Sequence, residues 1–337
     1  MQTETPEQSD MAGTQGEAIE AIPMGTAVEP AAIATASVMP TAVATPVAGP
    51  IAMAVPLSQT MERVLGPHDV ISVQQTPRGC LQECMGCSAR SEFKLYAGFN
   101  ETMPGLNTIL PGAPKVKDPN QLAHMLEESP FCPDRCFWSG MRKFSIPIKV
   151  PDENGEVMMY NEKAFSLPTH CIVHGDNGDL VIPCCCYLPT LKTYTADKTY
   201  VGKSKYVCDQ YLFVPKLAMY DADNNPQFMI RPDTCCAGCC PVCDGFGKGS
   251  NCVFMPFYIR NFDTLDKIPS AVPGMDAQIR NVWPGFKREC CTSADNYFVV
   301  FPAETTSNTK GALLGATTLL DFTVFEEKDG GCLVVSW

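Results

Sequence analysis

Between residues 144 and 301 the chain repeats one device: a short strand-like run, a turn rich in Asn, Asp and Gly, and a second such run. Phe144–Val150 alternates, Asp152-Glu-Asn154-Gly155 interrupts it, and Glu156-Val157-Met-Met-Tyr160 resumes it. Asn-Gly between two such runs is a strong hairpin signal, because both residues tolerate positive φ. Cys171-Ile-Val173 and Leu180-Val-Ile182 bracket Asp176-Asn177-Gly178-Asp179 in the same way. Tyr211-Leu-Phe-Val and Phe228-Met-Ile230 bracket Asp221–Asn225, while Asn251–Ile259 and Asn296–Phe301 add two further runs. Successive local hairpins confine the fold to an antiparallel β architecture, a barrel or a sandwich.

One segment departs from this rhythm. Gly311–Phe325 is the long apolar stretch, with Ala and Leu dominating its first half, which favours a helix. Asn308 or Thr309 is placed to cap it. It is apolar on nearly every face, so it must be buried in protein or in lipid. Its length as a helix is about 22 Å, against about 30 Å for a bilayer core. Asp321 near the bilayer centre would add about 2.5–3.5 kcal/mol. Length and charge therefore predict a helix inside a barrel rather than a membrane span. Gly311-x-x-x-Gly315 suits either a membrane dimer face or close packing on strands. Residues 101–135, with an amphipathic piece at Gln121–Leu126, read as an excursion from the barrel.

The first 62 residues contain no Lys, Arg, Phe, Tyr or Trp, and their seven acids carry −7 of the formal −12. Without aromatic side chains there is little to bury against the entropy of ordering, so residues 1–62 are expected to be a disordered, Ala/Pro-rich acidic tail and 63–337 the folded domain. The first basic residue is Arg63, too late for the n-region of a signal peptide, and Gln2 stands where myristoylation needs Gly. The sequence thus predicts a cytosolic chain whose 19 cysteines are not a disulfide framework. Net acidity argues against nucleic-acid binding and against simple adhesion to anionic lipid. No Ser-His-Asp set, paired carboxylates or phosphate loop stands out, and no enzymatic activity is predicted.

The most specific block is Trp283-Pro-Gly-Phe286, Lys287-Arg-Glu289, Ala294-Asp-Asn-Tyr297, Phe301-Pro302, then the Gly-rich apolar segment ending Leu320-Asp321-Phe322. Its order and spacing resemble the C-terminal signature of the phospholipid scramblases. Upstream, Arg142-Lys-Phe144 with Asn154-Gly155, Cys184-Cys185-Cys186 and Cys235-Cys236-Ala-Gly-Cys239-Cys240 are similar to that family's first hairpin and cysteine runs. The resemblance implies a tubby-like fold, a closed barrel of about twelve antiparallel strands around a central C-terminal helix. It also implies a protein on the cytoplasmic side of a phospholipid membrane, by family habit the plasma membrane, that moves phospholipids between leaflets without ATP and under calcium.

Each implied site has a reading from the residues beside it. For Ca2+, the family's acidic loop aligns Ser293, Asp295, Tyr297, Phe298 and Glu304 with positions 1, 3, 5, 6 and 12. The first acid and the glycine of an EF-hand loop are missing, and only Asp295 and Glu304 carry over as ligands. Tyr297, Val299 and Phe301 alternate as a strand would. For Cys184, Cys185 and Cys186 the resemblance implies S-palmitoylation, where two acyl chains would give stable anchoring; inert buried thiols are the alternative. Cys236, Cys239, Cys240 and Cys243, with Cys235, form overlapping C-x-x-C pairs, and Cys84-Met-Gly-Cys87 offers a second pair, so a Zn2+ site is also open. Three functions follow: a scramblase; a lipidated membrane-associated binding or adaptor module, with protein partners through the N-terminal tail; or a zinc-stabilised β domain.

Overall fold

The computed structural model describes residues 57–76, 90–101, 115–117, 119–130, 141–167, 170–173, 180–183, 187–208, 214–235, 240–241, 256–282 and 296–325. Twelve strands form its body: Val70–Gln75 (β1), Glu92–Ala97 (β2), Gln121–Leu126 (β3), Phe144–Val150 (β4), Glu156–Lys163 (β5), Thr190–Thr195 (β6), Tyr200–Tyr206 (β7), Leu217–Asp221 (β8), Pro226–Arg231 (β9), Pro256–Asn261 (β10), Gln278–Val282 (β11) and Asn296–Val300 (β12). Each pairs antiparallel with the next in chain order, and β12 pairs with β1, closing the barrel. Closure leaves the barrel itself without an unpaired sheet edge. This is the architecture the resemblance implies.

Inside, Ile71, Leu95, Met125, Ile148, Leu191 and Ile259 belong to one continuous core with the apolar residues of the C-terminal helix, Ser307–Leu320 (α2). Alternation along the strands sorts inside from outside: in β6, Leu191 and Thr193 are buried while Lys192 is exposed. β12 is buried on both faces. Tyr297 and Val299 join the central core, whereas Phe298 and Val300 pack outside it with Val70, Phe99 and Val282. Phe99 meets Phe298 edge-on at 5.3 Å between ring centroids.

Four sequence expectations shift. Gln121–Leu126 is the barrel strand β3, because Ala123 and Met125 alternate into the core. The helix starts at Ser307 rather than 311, since Thr306 is the N-cap: its side chain accepts from the Thr309 N–H. α2 ends at Leu320, and Asp321–Phe325 continue as a π-helical turn. Finally, a helix at Leu57–Leu65 (α1) lies within the stretch read as tail. Met61, Val64 and Leu65 form a buried helical stripe, which supplies an apolar face without any aromatic residue. Residues 1–56 lie outside the described ones. The hairpin expected near 171–182 is present as His170–Val173 paired with Leu180–Pro183, beside the barrel rather than within it.

Candidate functional site

α2 is the feature around which any function must be built. Twelve of its 14 residues are buried, and it is about 21 Å long. A Cβ on Gly315 would lie 2.7 Å from Thr193 Oγ1 and 3.0 Å from Leu191 Cδ2; one on Gly311 would meet the Met159 side chain at 3.2 Å. The Gly311-x-x-x-Gly315 pair therefore lets the helix backbone approach β5 and β6. Thr317, Thr318 and Thr323 return their hydroxyls to carbonyls four residues back, at 3.0, 3.0 and 2.7 Å. Asn161 Oδ1 accepts from Thr193 Oγ1 at 3.0 Å beneath the helix. Among the described residues no helix is long and apolar enough to cross a membrane.

Charged groups close the two ends of α2. At its start, Lys310 Nζ donates to the carbonyls of Leu65, Gly66 and His68 at 3.3, 2.8 and 2.8 Å. The lysine thus caps the end of α1 as a C-terminal cation should. Ser307 Oγ donates to the Glu62 carboxylate beside it. Burial pulls the Lys310 ammonium below its ordinary pKa, although Asp69 and Glu62 oppose the shift. Burial and the neighbouring Lys310 likewise hold His68 below 6.5, against Asp69.

At the far end, Arg142 donates two bonds to Glu127, 2.7 and 2.9 Å, with both side chains fully buried. The Ser91 N–H donates to the same carboxylate at 3.0 Å. Burial pushes the Glu127 carboxyl up, but hydrogen bonding to Arg142, its charge and the Ser91 N–H outweigh it and keep the group below its ordinary value. Arg142 also covers the Phe322 ring at 5.0 Å, and Phe322 stacks on Phe144 at 4.2 Å. Lys163 Nζ donates to the Arg142 carbonyl and Ser166 Oγ. Tyr297 donates its hydroxyl proton to Asp321 Oδ1 at 2.7 Å, so the aspartate that argued against a membrane span is held inside the barrel.

The meander sorts the rest of the sequence between these ends. Odd-numbered strands run toward the end where α2 finishes and even-numbered strands start there. All 19 cysteines except Cys332 lie in the six connections that leave and re-enter the barrel at that end, and Cys332 follows the turn that finishes there. The connections at the opposite end contain no cysteine and carry ten acids against four bases, whereas those at the cysteine end carry eleven against nine. Nothing in the linear spacing of the cysteines shows this; only alternation of the strands does.

Of the residues read as sites, Cys184, Cys185, Cys186, Asp295, Cys236, Cys239 and Cys243 lie outside the described residues. The acylation run is bracketed by Leu180–Pro183 and by Tyr187, which is 79% exposed. Cys240 lies in a short strand whose partner Cys235 is exposed. Among the described residues no three His, Cys, Asp or Glu converge as metal ligands. Cys208 is disulfide-bonded, a single crosslinked thiol among the described residues beside the expectation that the cysteines form no disulfide framework. Glu304 is exposed, in a left-handed conformation with φ 59°, beyond the far end of β12. The five residues of β12 rise about 17 Å, so a strand stands where one twelve-residue calcium loop would have to wrap. The residues do not fit such a loop. Sequence reasoning missed the Glu127–Arg142 pair and Lys310; their only linear signal is a charge flanking an apolar run.

A closed antiparallel barrel filled by its own C-terminal helix defines the structural class. Residues 115–327, more than half of the chain, match the family described as Scramblase, and the chain belongs to that family. It is 27% identical over 213 residues to phospholipid scramblase family member 5 of Homo sapiens, covering 63% of this chain and 65% of that protein. It is 35% identical over 89 residues to phospholipid scramblase 1 of Mus musculus, covering 26% of this chain and 23% of the relative. The chain thus spans just under two thirds of the human relative's length. No solved structure matches it.

Proposed function

We propose that this protein works at a phospholipid membrane as a scramblase, moving phospholipids between leaflets down their gradient, without ATP and without covalent chemistry. The observation that carries this reading is the Scramblase match over residues 115–327, which takes in β3 to β12 and the enclosed α2. The proposed anchor is S-palmitoylation of the Cys184–Cys186 run on the cytoplasmic side of the plasma membrane. Calcium stimulation belongs to what the resemblance implies; among the described residues, β12 stands where the family's loop would lie. The test is reconstitution of the full chain in vesicles containing a fluorescent phospholipid. Equilibration of the label between leaflets is expected, and its failure at every calcium level removes the reading.

A second reading has its own support. α2 is buried at twelve of its 14 residues and fills the barrel, which favours a lipidated binding module that gathers partners at a membrane. Membrane fractionation with and without hydroxylamine, which strips thioester-linked lipid, tests the anchor shared by both readings. Release by hydroxylamine together with no lipid movement selects the module. The zinc-stabilised alternative rests on Cys236, Cys239, Cys240 and Cys243, and elemental analysis of the purified protein decides it.

A further inference from the structure

We propose that the outer wall formed by β6 to β10 is the surface that docks on the anionic headgroups of a bilayer. The proposal rests on the membrane reading above and adds which side of the molecule faces the lipid. Alternation turns Leu191, Tyr206, Leu217, Ile230 and Ile259 into the core and leaves Lys192, Lys203 and Lys205 on the outside, with Arg231 and Arg260 half-buried beside them and Arg260 held by Asp233. Within the bounds of these five strands the acidic residue is Asp221. Its carboxylate is taken up by its own turn, accepting from the Asp223 and Asn225 N–H groups and from Gln227 at 2.9, 2.8 and 2.9 Å. Glu162 and Asp233 border this wall and are engaged by Lys198 and by Arg260 and Lys267, so a protein of net charge −12 keeps Lys192, Lys203 and Lys205 as the basic part of this face.

The register concentrates that charge. Lys192 stands directly opposite Lys203 across β6 and β7, and Lys205 follows on the same face. Like charges directly opposed across strands cost stability; Glu162, opposite Lys192 on β5, is drawn off by Lys198, so a polyanionic surface would relieve that cost. Lys192 and Lys205 are exposed and hold no ion pair or hydrogen bond among the described residues. Lys203 donates to Asn224 and lies 5.0 Å from the Tyr220 ring.

The surroundings fix the orientation. At the cysteine end this wall adjoins Tyr187 and Phe165, 79% and 52% exposed. The Leu167 N–H donates to the Tyr187 carbonyl at 3.0 Å and keeps these two segments together. Exposed aromatic rings beside lysines suit the headgroup region of a membrane. The opposite end, with its excess of acidic turns, would be repelled by the same surface. The outer wall of β1, β11 and β12 is unavailable, being covered by the chain's own Phe99 and its neighbours.

The test uses the full chain made in bacteria, where thioester lipidation does not contribute. Binding is measured by co-sedimentation with phosphatidylcholine vesicles with and without phosphatidylserine. Each lysine at an anionic surface strengthens binding about fivefold, so K192E/K205E is expected to weaken binding to the phosphatidylserine vesicles tenfold or more. K115E/K117E, the same change in net charge at the other end, is expected to leave it within about twofold, and the wild-type interaction to fade with added salt. Circular dichroism checks the fold, with K192Q/K205Q as the gentler pair. The proposal is overturned by no wild-type binding to phosphatidylserine vesicles, by equal losses in the two double variants, or by binding that appears only after residues 1–50 are removed. Any of these results, with hydroxylamine still releasing the cell-made protein from membranes, removes this docking face and leaves the membrane reading standing.

Discussion

The two ends of the barrel are built from the same strands and closed by opposite means. At the α1 end, one lysine of α2 ties down three carbonyls of the preceding helix and its turn, and the connections between strands there are acidic in balance and free of cysteine. At the other end, a fully buried arginine–glutamate pair seals the core beneath connections that carry all but one of the cysteines. The first closure satisfies backbone groups that helix α1 cannot pair for itself. The second shields two charges inside protein, where each depends on the other. One end is closed by satisfying backbone carbonyls; the other is closed by a demanding buried ion pair.

This contrast can be broken in steps of decreasing size. Arg142→Met leaves Glu127 buried without its partner and is expected to cost about 3–5 kcal/mol, measured by urea denaturation. The double variant E127Q/R142M should recover most of that loss, because no unpaired charge is left; a double as damaged as the single would mean that the pair does more than neutralise itself. Next, Gly315→Val is expected to cost about 1–3 kcal/mol by overpacking against Thr193, Leu191 and Asn161. Gly311→Ala should cost less, since the nearest atoms are the flexible end of Met159. Lys310→Met at the α1 end is expected to cost about 1–3 kcal/mol through the abandoned carbonyls, with exchange protection of α1 amides lost before that of β6. Equal losses in α1 and β6 would show that α1 is integral to the barrel rather than clasped onto it.

The smallest effects are those of pH, and the ends differ in sign window. Glu127 has a folded pKa below its unfolded value near 4.5, so the folded state binds fewer protons. Its contribution is present above about pH 4.5 and is lost as pH falls through the folded value. His68 is also held below its unfolded value of 6.5. The unfolded state takes up that proton first, so stability declines as pH drops below 6.5 and levels off once the folded histidine is protonated. His68→Gln should abolish the decline between pH 7 and 6 while leaving the acid limb of Glu127 intact, as read from denaturation midpoints across pH.

Much of the fold was legible because its causes are local. Asn154-Gly155 marks the β4–β5 hairpin, where Val150 pairs with Glu156. The length of the apolar C-terminal stretch and the charge of Asp321 argued for an enclosed helix, and Tyr297 supplies the partner that makes the charge tolerable there. The strand reading of Tyr297–Phe301 held over the loop reading for the same reason: its alternation is a property of neighbouring residues. Gln121–Leu126 was misjudged because a six-residue amphipathic piece fits either period until its neighbours are known, and β3 is defined by pairing with β2 and β4. The N-cap was misplaced by two or three residues, since several polar residues precede α2 and only geometry selects Thr306.

The sequence alone determined the antiparallel architecture, the family resemblance and the balance in favour of an enclosed C-terminal helix over a membrane span. Those follow from residue type and spacing over a few positions. Only the tertiary structure decided that Glu127 meets Arg142 and that Lys310 reaches back some 245 residues to Leu65. It alone sorted scattered cysteines to one end and lined up Lys192, Lys203 and Lys205 on one wall. The physical reason is that a closed meander reverses direction at every connection, so two residues far apart in the chain share an end according to the parity of their strands and a face according to alternation along them. No local signal carries that parity.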